Sequence, residues 1–169
     1  RGVTLSLSGH SQEVTSVALV HTGELAASGS ADKSVRLWNL NTKLQVTKLE
    51  RHSEAVTSVV FISNGLQLAS SSQDCTVILW SVKNKNIEQV FEGHTAAVNT
   101  LCVSVDGMYL LSGAEDGHVK IWNLSQTKDV VSLPGHTEGV TTLALTSNNR
   151  RVVSGSRDKT LKSRNFQAE

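Results

Sequence analysis

Two cysteines in 169 residues are too few and too differently placed for a disulfide framework. Cys75 falls in a predicted turn, and Cys102 shares a repeat column with Ala18, Val60 and Ala144, which marks it as a small apolar core residue. A reducing, intracellular compartment, cytoplasmic or nuclear, is the expectation. The chain also lacks any apolar run approaching the roughly 18 residues needed to cross a bilayer, and its N-terminus lacks the charged-then-apolar layout of a signal peptide. Excess charge of one sign is missing too: the formal net charge is +1, which argues neither for nor against an acidic partner. No window repeats its apolar residues at helical spacing, so helical folds are excluded and an all-β chain is expected. An initiating methionine is absent, and alternating sequence starts at Arg1, as expected of a piece of a longer protein.

What the chain has is a period. His10, His52, His94 and His136 lie 42 residues apart, as do Asp32, Asp74, Asp116 and Asp158, and as do Trp38, Trp80 and Trp122. Four copies at one offset without insertion define a repeat architecture. Each copy runs from the His through an apolar segment such as "VTSVALV" to a turn (Thr22-Gly23, Asn64-Gly65, Asp106-Gly107, Asn148-Asn149), whose Gly and Asn suit a two-residue hairpin. A second strand, a turn centred on the Asp, a third strand ending near the Trp and a more polar fourth strand follow. The first strand is apolar at consecutive positions, Val17, Ala18 and Leu19, which requires burial on both faces. One sheet cannot cover both its own faces, so the copies must stack as neighbours.

Gly-His, an Asp 22 residues after the His and a Trp 28 residues after it resemble the WD repeat, and the resemblance covers Ser8 to Phe166. The Trp-Asp pair itself is altered to Trp38-Asn39, Trp80-Ser81 and Trp122-Asn123, and Arg51 replaces the Gly before His52. The resemblance implies an all-β fold of WD-repeat β-propeller blades: four four-stranded antiparallel sheets in one domain, forming an arc of a larger propeller or a four-bladed ring. The repeats span approximately 9–50, 51–92, 93–134 and 135–166, and the segment 3–8 is a candidate outer strand completing the last blade. Family members close their rings in this way, usually with more than four blades.

The resemblance also implies a hydrogen-bonded network in each blade: His10, Ser30, Asp32 and Trp38; His52, Ser72, Asp74 and Trp80; His94, Asp116 and Trp122; His136, Ser156 and Asp158. The third set has Ala114 where a hydroxyl is expected, and the fourth has Arg164 in place of the indole. A second column, Ser28, Ser70, Ser112 and Ser154, is intact, and the sequence leaves open which serine faces the Trp. If the hydroxyl belongs to the first column, Trp80→Phe costs more stability than Trp122→Phe. Ser163 and Arg164 in the last third strand are expected to weaken the fourth blade while limiting its exposed apolar surface.

A hydroxyl, an imidazole and a carboxylate also form nucleophilic triads. Catalysis needs such a set once, whereas here it recurs in successive sheets, so a structural role is expected and no enzyme activity. One His per blade is too dispersed to bind one metal ion, and no cofactor is expected. The function expected from the resemblance is a protein-interaction scaffold binding peptides or partner proteins through top-face loops. Glu13, Glu54 and Glu138 precede the first strands there, and Ala31, Gln73, Glu115 and Arg157 precede the turn Asp. Glu13, Glu54, Gln73, Glu115, Glu138 and Arg157 are the candidate contacts, and their mostly acidic character suits a basic segment. The alternative is nucleic-acid binding through the basic C-terminal end, but Arg150 and Arg151 flank a turn on one rim and Arg157 and Lys159 a turn on the other. The bare faces of the end blades predict self-association into a completed propeller.

Overall fold

The computed structural model describes residues 5–126 and 130–166. The first sheet contains β1 (Val14–Leu19), β2 (Leu25–Ser30), β3 (Ser34–Asn39) and β4 (Leu44–Glu50), in that spatial order and antiparallel throughout. The second repeats this with β5 (Val56–Ile62), β6 (Gln67–Ser72), β7 (Val77–Ser81) and β8 (Asn86–Phe91). The third contains β9 (Val98–Val103), β10 (Tyr109–Ala114), β11 (Val119–Asn123) and β12 (Val130–Leu133). The fourth has three strands among the described residues, β13 (Val140–Leu145), β14 (Arg151–Ser156) and β15 (Leu161–Asn165). Of the segment expected to complete it, residues 3 and 4 lie outside the described residues and Leu5–Ser8 form no strand.

Turn chemistry explains the hairpins. Gly23 and Gly107 take the left-handed backbone at φ 74° and 71°, and Asn149 takes it at 54° where the fourth copy has no glycine. The second copy differs from the two-residue turn expected at Asn64-Gly65: Ser63–Gly65 form a single 3-10 turn, with Ser63 itself left-handed.

The core lies between sheets. Val35, Leu37 and Leu49 of the first sheet meet Val56, Val59, Leu68 and Trp80 of the second, and equivalent clusters join the second to the third and the third to the fourth. The inner strands pack in sequence, β1 on β5, β5 on β9 and β9 on β13, and among the described residues the sheets form an open arc, with no packing of β13 on β1 to close it. Val56, Val98 and Val140 are fully buried at these junctions, whereas Val14 in the same column is 48% exposed. A repeated side-chain bond ties neighbouring backbones at each junction: Thr15 donates to the Val56 carbonyl at 2.5 Å, Thr57 to that of Val98 at 2.5 Å, and the Asn99 amide to that of Val140 at 2.8 Å; at the first junction Ser16 Oγ also accepts from the Val59 amide at 3.1 Å. Thr141, next in the column, reaches only Gly155 in its own sheet.

Candidate functional site

Each first strand runs from the loop bearing the His to the hairpin turn. The loops before the first strands and the turns after the second strands therefore share one rim, here the upper rim. Backbone bonds fasten these loops together: Ala31 N–H donates to Glu13, Gln73 to Ala55, Glu115 to Ala97 and Arg157 to Gly139.

Under the upper rim sits the repeated network. Histidine Nδ1 lies 2.8–2.9 Å from the aspartate in all four blades: His10 with Asp32, His52 with Asp74, His94 with Asp116 and His136 with Asp158. Nε2 lies 2.7–2.8 Å from Ser28, Ser70, Ser112 and Ser154. The indoles of Trp38, Trp80 and Trp122 each donate to the same serine at 2.8 Å. An indole N–H only donates, so the serine accepts from it and its own proton serves a neutral imidazole, whose Nδ1–H then serves the carboxylate.

This corrects the serine assignment drawn from the resemblance. Ser30, Ser72 and Ser156 contact neither His nor Trp; each accepts the amide of the following turn Asp and donates to a loop carbonyl, of Gln12, Glu54 and Glu138 respectively. The third network is consequently complete, because Ala114 occupies only this turn-capping column. Trp80→Phe and Trp122→Phe are therefore expected to cost similar stability, about 1–3 kcal/mol each, since each removes one buried donor and part of a large ring. Urea unfolding of the two variants checks it. A gap above about 1 kcal/mol would mean that the Trp122 ring, which also packs on Phe91, carries a different load.

The aspartates gather more donors than the imidazole. Asp74 accepts from the Ser53 and Thr76 amides and the Thr76 hydroxyl, and the other blades repeat the amide bonds. Burial pushes the Asp32 and Asp74 carboxyls up, but these bonds outweigh it and hold both well below the usual range. Asp116 is lowered in the same way, and Asp158 is lowered chiefly by the Thr160 hydroxyl. Burial also pushes His94 below its ordinary value, against the pull of Asp116.

In the fourth blade Arg164 substitutes chemically for the indole. Its guanidinium donates to the Pro134 carbonyl at 2.8 Å and lies 3.5 Å from Ser154 Oγ. Ser163 is exposed and, by strand alternation, on the opposite face. Arg164→Trp alone is thus expected to stabilise the chain by about 1 kcal/mol, the gain in apolar burial exceeding the lost carbonyl bond. A Ser163→Leu partner adds only exposed surface. A lower urea midpoint for the single variant would show that the Pro134 contact matters more than the ring.

The candidate partner-binding side chains occupy the upper rim but are not equivalent. Glu54 is paired with Lys33 of the preceding sheet, which also donates to the Ser53 carbonyl. Glu115 is paired with Arg157 at 2.9 Å and accepts from Asn99. Glu13, Gln73 and Glu138 are exposed and have no side-chain hydrogen bond among the described residues. The sequence reading missed Lys33, Asn99 and the bridging role of Arg157. One signal was available: Glu115 and Arg157 are successive members of one repeat column, and such members become neighbours on a rim. Among the described residues no cluster of His, Cys, Asp or Glu is arranged to hold a metal ion, and no helix is long and apolar enough to cross a membrane.

The model of the family described as "WD domain, G-beta repeat" matches the chain four times, at residues 2–39, 43–81, 85–123 and 127–163. The matched units are out of phase with the sheets by one strand: the unit 43–81 holds β4, the outer strand of the first sheet, with β5, β6 and β7.

Proposed function

Because the chain belongs to the WD-repeat family, whose members generally serve as protein-interaction scaffolds, we propose that it is a non-catalytic scaffold that binds a protein or peptide segment on its upper rim. The observation that carries this is the saturation of the His-Ser-Asp sets. Ser70, Ser112 and Ser154 are fully buried, and each hydroxyl is already engaged by its imidazole and by an indole or guanidinium. A nucleophile needs access to substrate, and these hydroxyls have none. The rim is left to bind. Its unengaged carboxylates, Glu13 and Glu138, favour a basic segment, with Gln73 as a neutral contact.

A fluorescently labelled Lys- and Arg-rich nonapeptide is the probe. Glu13→Lys/Glu138→Lys is expected to weaken its binding at least tenfold, and Glu54→Gln much less, because Glu54 is already occupied by Lys33. Equal losses would sink this reading of the rim. What weighs against nucleic acid is the ion pairing of Arg157 and its separation from Arg150 and Arg151 by the length of a strand. Cys75 and Cys102 are free, which supports a cytoplasmic or nuclear setting.

Self-association belongs to the same proposal. Val14, Val17 and Leu19 are exposed on one end sheet, and Leu161 is exposed on the other. At every internal junction these columns are covered by the next blade. In isolation the chain is expected to pair, raising the mass in light scattering with concentration, and Val14→Asp/Leu19→Asp is expected to restore a monomer. A concentration-independent monomer would reject it.

A further inference from the structure

The opposite rim, formed by the hairpin turns and by the turns between third and fourth strands, carries apolar surface that the fold does not require. The turns touch in order. Gly65 lies against Val20, Gly107 lies against Ser63, and Asn149 bonds both the Val105 amide and the Asp106 carboxylate. On this continuous ridge Leu66 is 67% exposed, Val105 72% and Met108 49%. The repeat itself supplies the control: Leu66 and Met108 share a column with Glu24 and Arg150, so the first and fourth blades carry charged residues at this position of the rim. Packing therefore gives no reason for leucine and methionine in the two central blades. Beside them, between the second and third sheets, opens a cleft of about 420 Å3 with one apolar wall of Phe61, Ile62, Val103 and Val105 and one polar wall of Ser63, Ser104 and Asp106.

Cations outnumber acids around this ridge. Lys43, Lys83, Lys85, Arg150 and Arg151 are exposed, and none has a carboxylate within salt-bridge distance among the described residues. The acids of this rim, Glu24, Glu88 and Asp106, are fewer than the five cations. Asp106 is held below its ordinary range by the Ser104 hydroxyl and the Met108 amide and also accepts from Asn149, and Glu88 accepts from Gln67. Exposed Leu66, Val105 and Met108, the apolar wall of the cleft and the excess of unpaired cations around it are together complementary to an acidic segment bearing a large apolar side chain.

We propose that this lower rim is a second docking surface, whose occupant is an acidic peptide segment of a partner protein that inserts one aromatic or large aliphatic side chain between the second and third blades. The upper rim, where carboxylates prevail, selects the opposite charge. Two partners of opposite charge then occupy one chain at once, the cleft supplying anchorage and the lysines and arginines steering and register.

The test is an amide-resolved NMR titration of the chain with three nonapeptides: one of Asp and Glu around a central Phe, its Phe→Ser twin, and a twin with every acid replaced by Lys. The acidic Phe peptide is expected to shift the amides of Leu66, Val105 and Met108. The Ser twin should bind at least tenfold more weakly, and the Lys twin should leave this rim unchanged. Val105→Asp, at an exposed position, is expected to lower affinity at least tenfold, while Val131→Asp on the outer strand β12 leaves it intact. Three outcomes overturn the proposal: equal binding of the Phe and Ser peptides, no shift at millimolar peptide, or binding only to phosphatidylserine vesicles, which makes the rim a membrane-facing surface. None of these bears on the upper rim, whose test uses basic peptide and different residues.

Discussion

Ser70→Ala is expected to cost about 2–4 kcal/mol of unfolding free energy, against about 1 for Ser72→Ala two residues away. Both serines are fully buried, so exposure does not separate them. Their partners do. Removing the Ser70 hydroxyl strands the Trp80 indole N–H and His52 Nε2, both buried, with no other acceptor or donor in reach. Each orphaned group costs about 1–3 kcal/mol. Ser72 holds one turn amide and one loop carbonyl near the rim, where water replaces it more readily. Domains of this size are stable by only about 5–15 kcal/mol, so the first variant removes a large share. Urea unfolding followed by tryptophan fluorescence checks the difference. Equal losses would mean that the indole finds another acceptor once Ser70 is gone.

That pair of serines also shows where the sequence stops being informative. The period of 42 exposes the columns, the strand boundaries follow from the turns, and the stacking of sheets follows from the doubly apolar first strands. Choosing between Ser28 and Ser30 is different. Positions two apart on a strand face the same side, so alternation cannot distinguish them. The choice depends on register: Trp38 pairs with Ala26, which brings its ring over Ser28, while Ser30 sits at the strand end beside the turn amide.

The rim contacts were hidden for another reason. The column of Lys33 contains Cys75, Gly117 and Lys159, so the repeat carries no signal that Lys33 bridges to Glu54. Sheet-to-sheet geometry has to be known before such pairs can be read. That the fourth sheet has three strands among the described residues was beyond the pattern as well, because Leu5–Ser8 alternate like a strand yet form none.

Acid is expected to unfold the chain in two stages, and the sign follows from the direction of each shift. His94 has a folded pKa below its ordinary value, so between about pH 6.5 and its folded pKa the unfolded chain binds the extra proton. Stability falls gently as pH drops through that window. Asp32, Asp74, Asp116 and Asp158 are all lowered in the folded state. Their contribution is fully present above the unfolded value near 4, and it is lost as pH falls toward the folded values, where both states are protonated. Four groups titrating together make this second limb much steeper than the first. Loss of charge there also removes the acceptor that fixes each imidazole, so the networks fail together. The expected urea midpoint is therefore highest near neutrality, slightly lower at pH 5 and collapsing below about pH 4. Asp74→Asn should lower the neutral midpoint and flatten the acid limb, because one of the four titrating groups is gone. A midpoint that stays level from pH 7 to pH 3 would show that these carboxylates are not held ionised by the fold. The blades would then owe their cohesion to the apolar junctions alone.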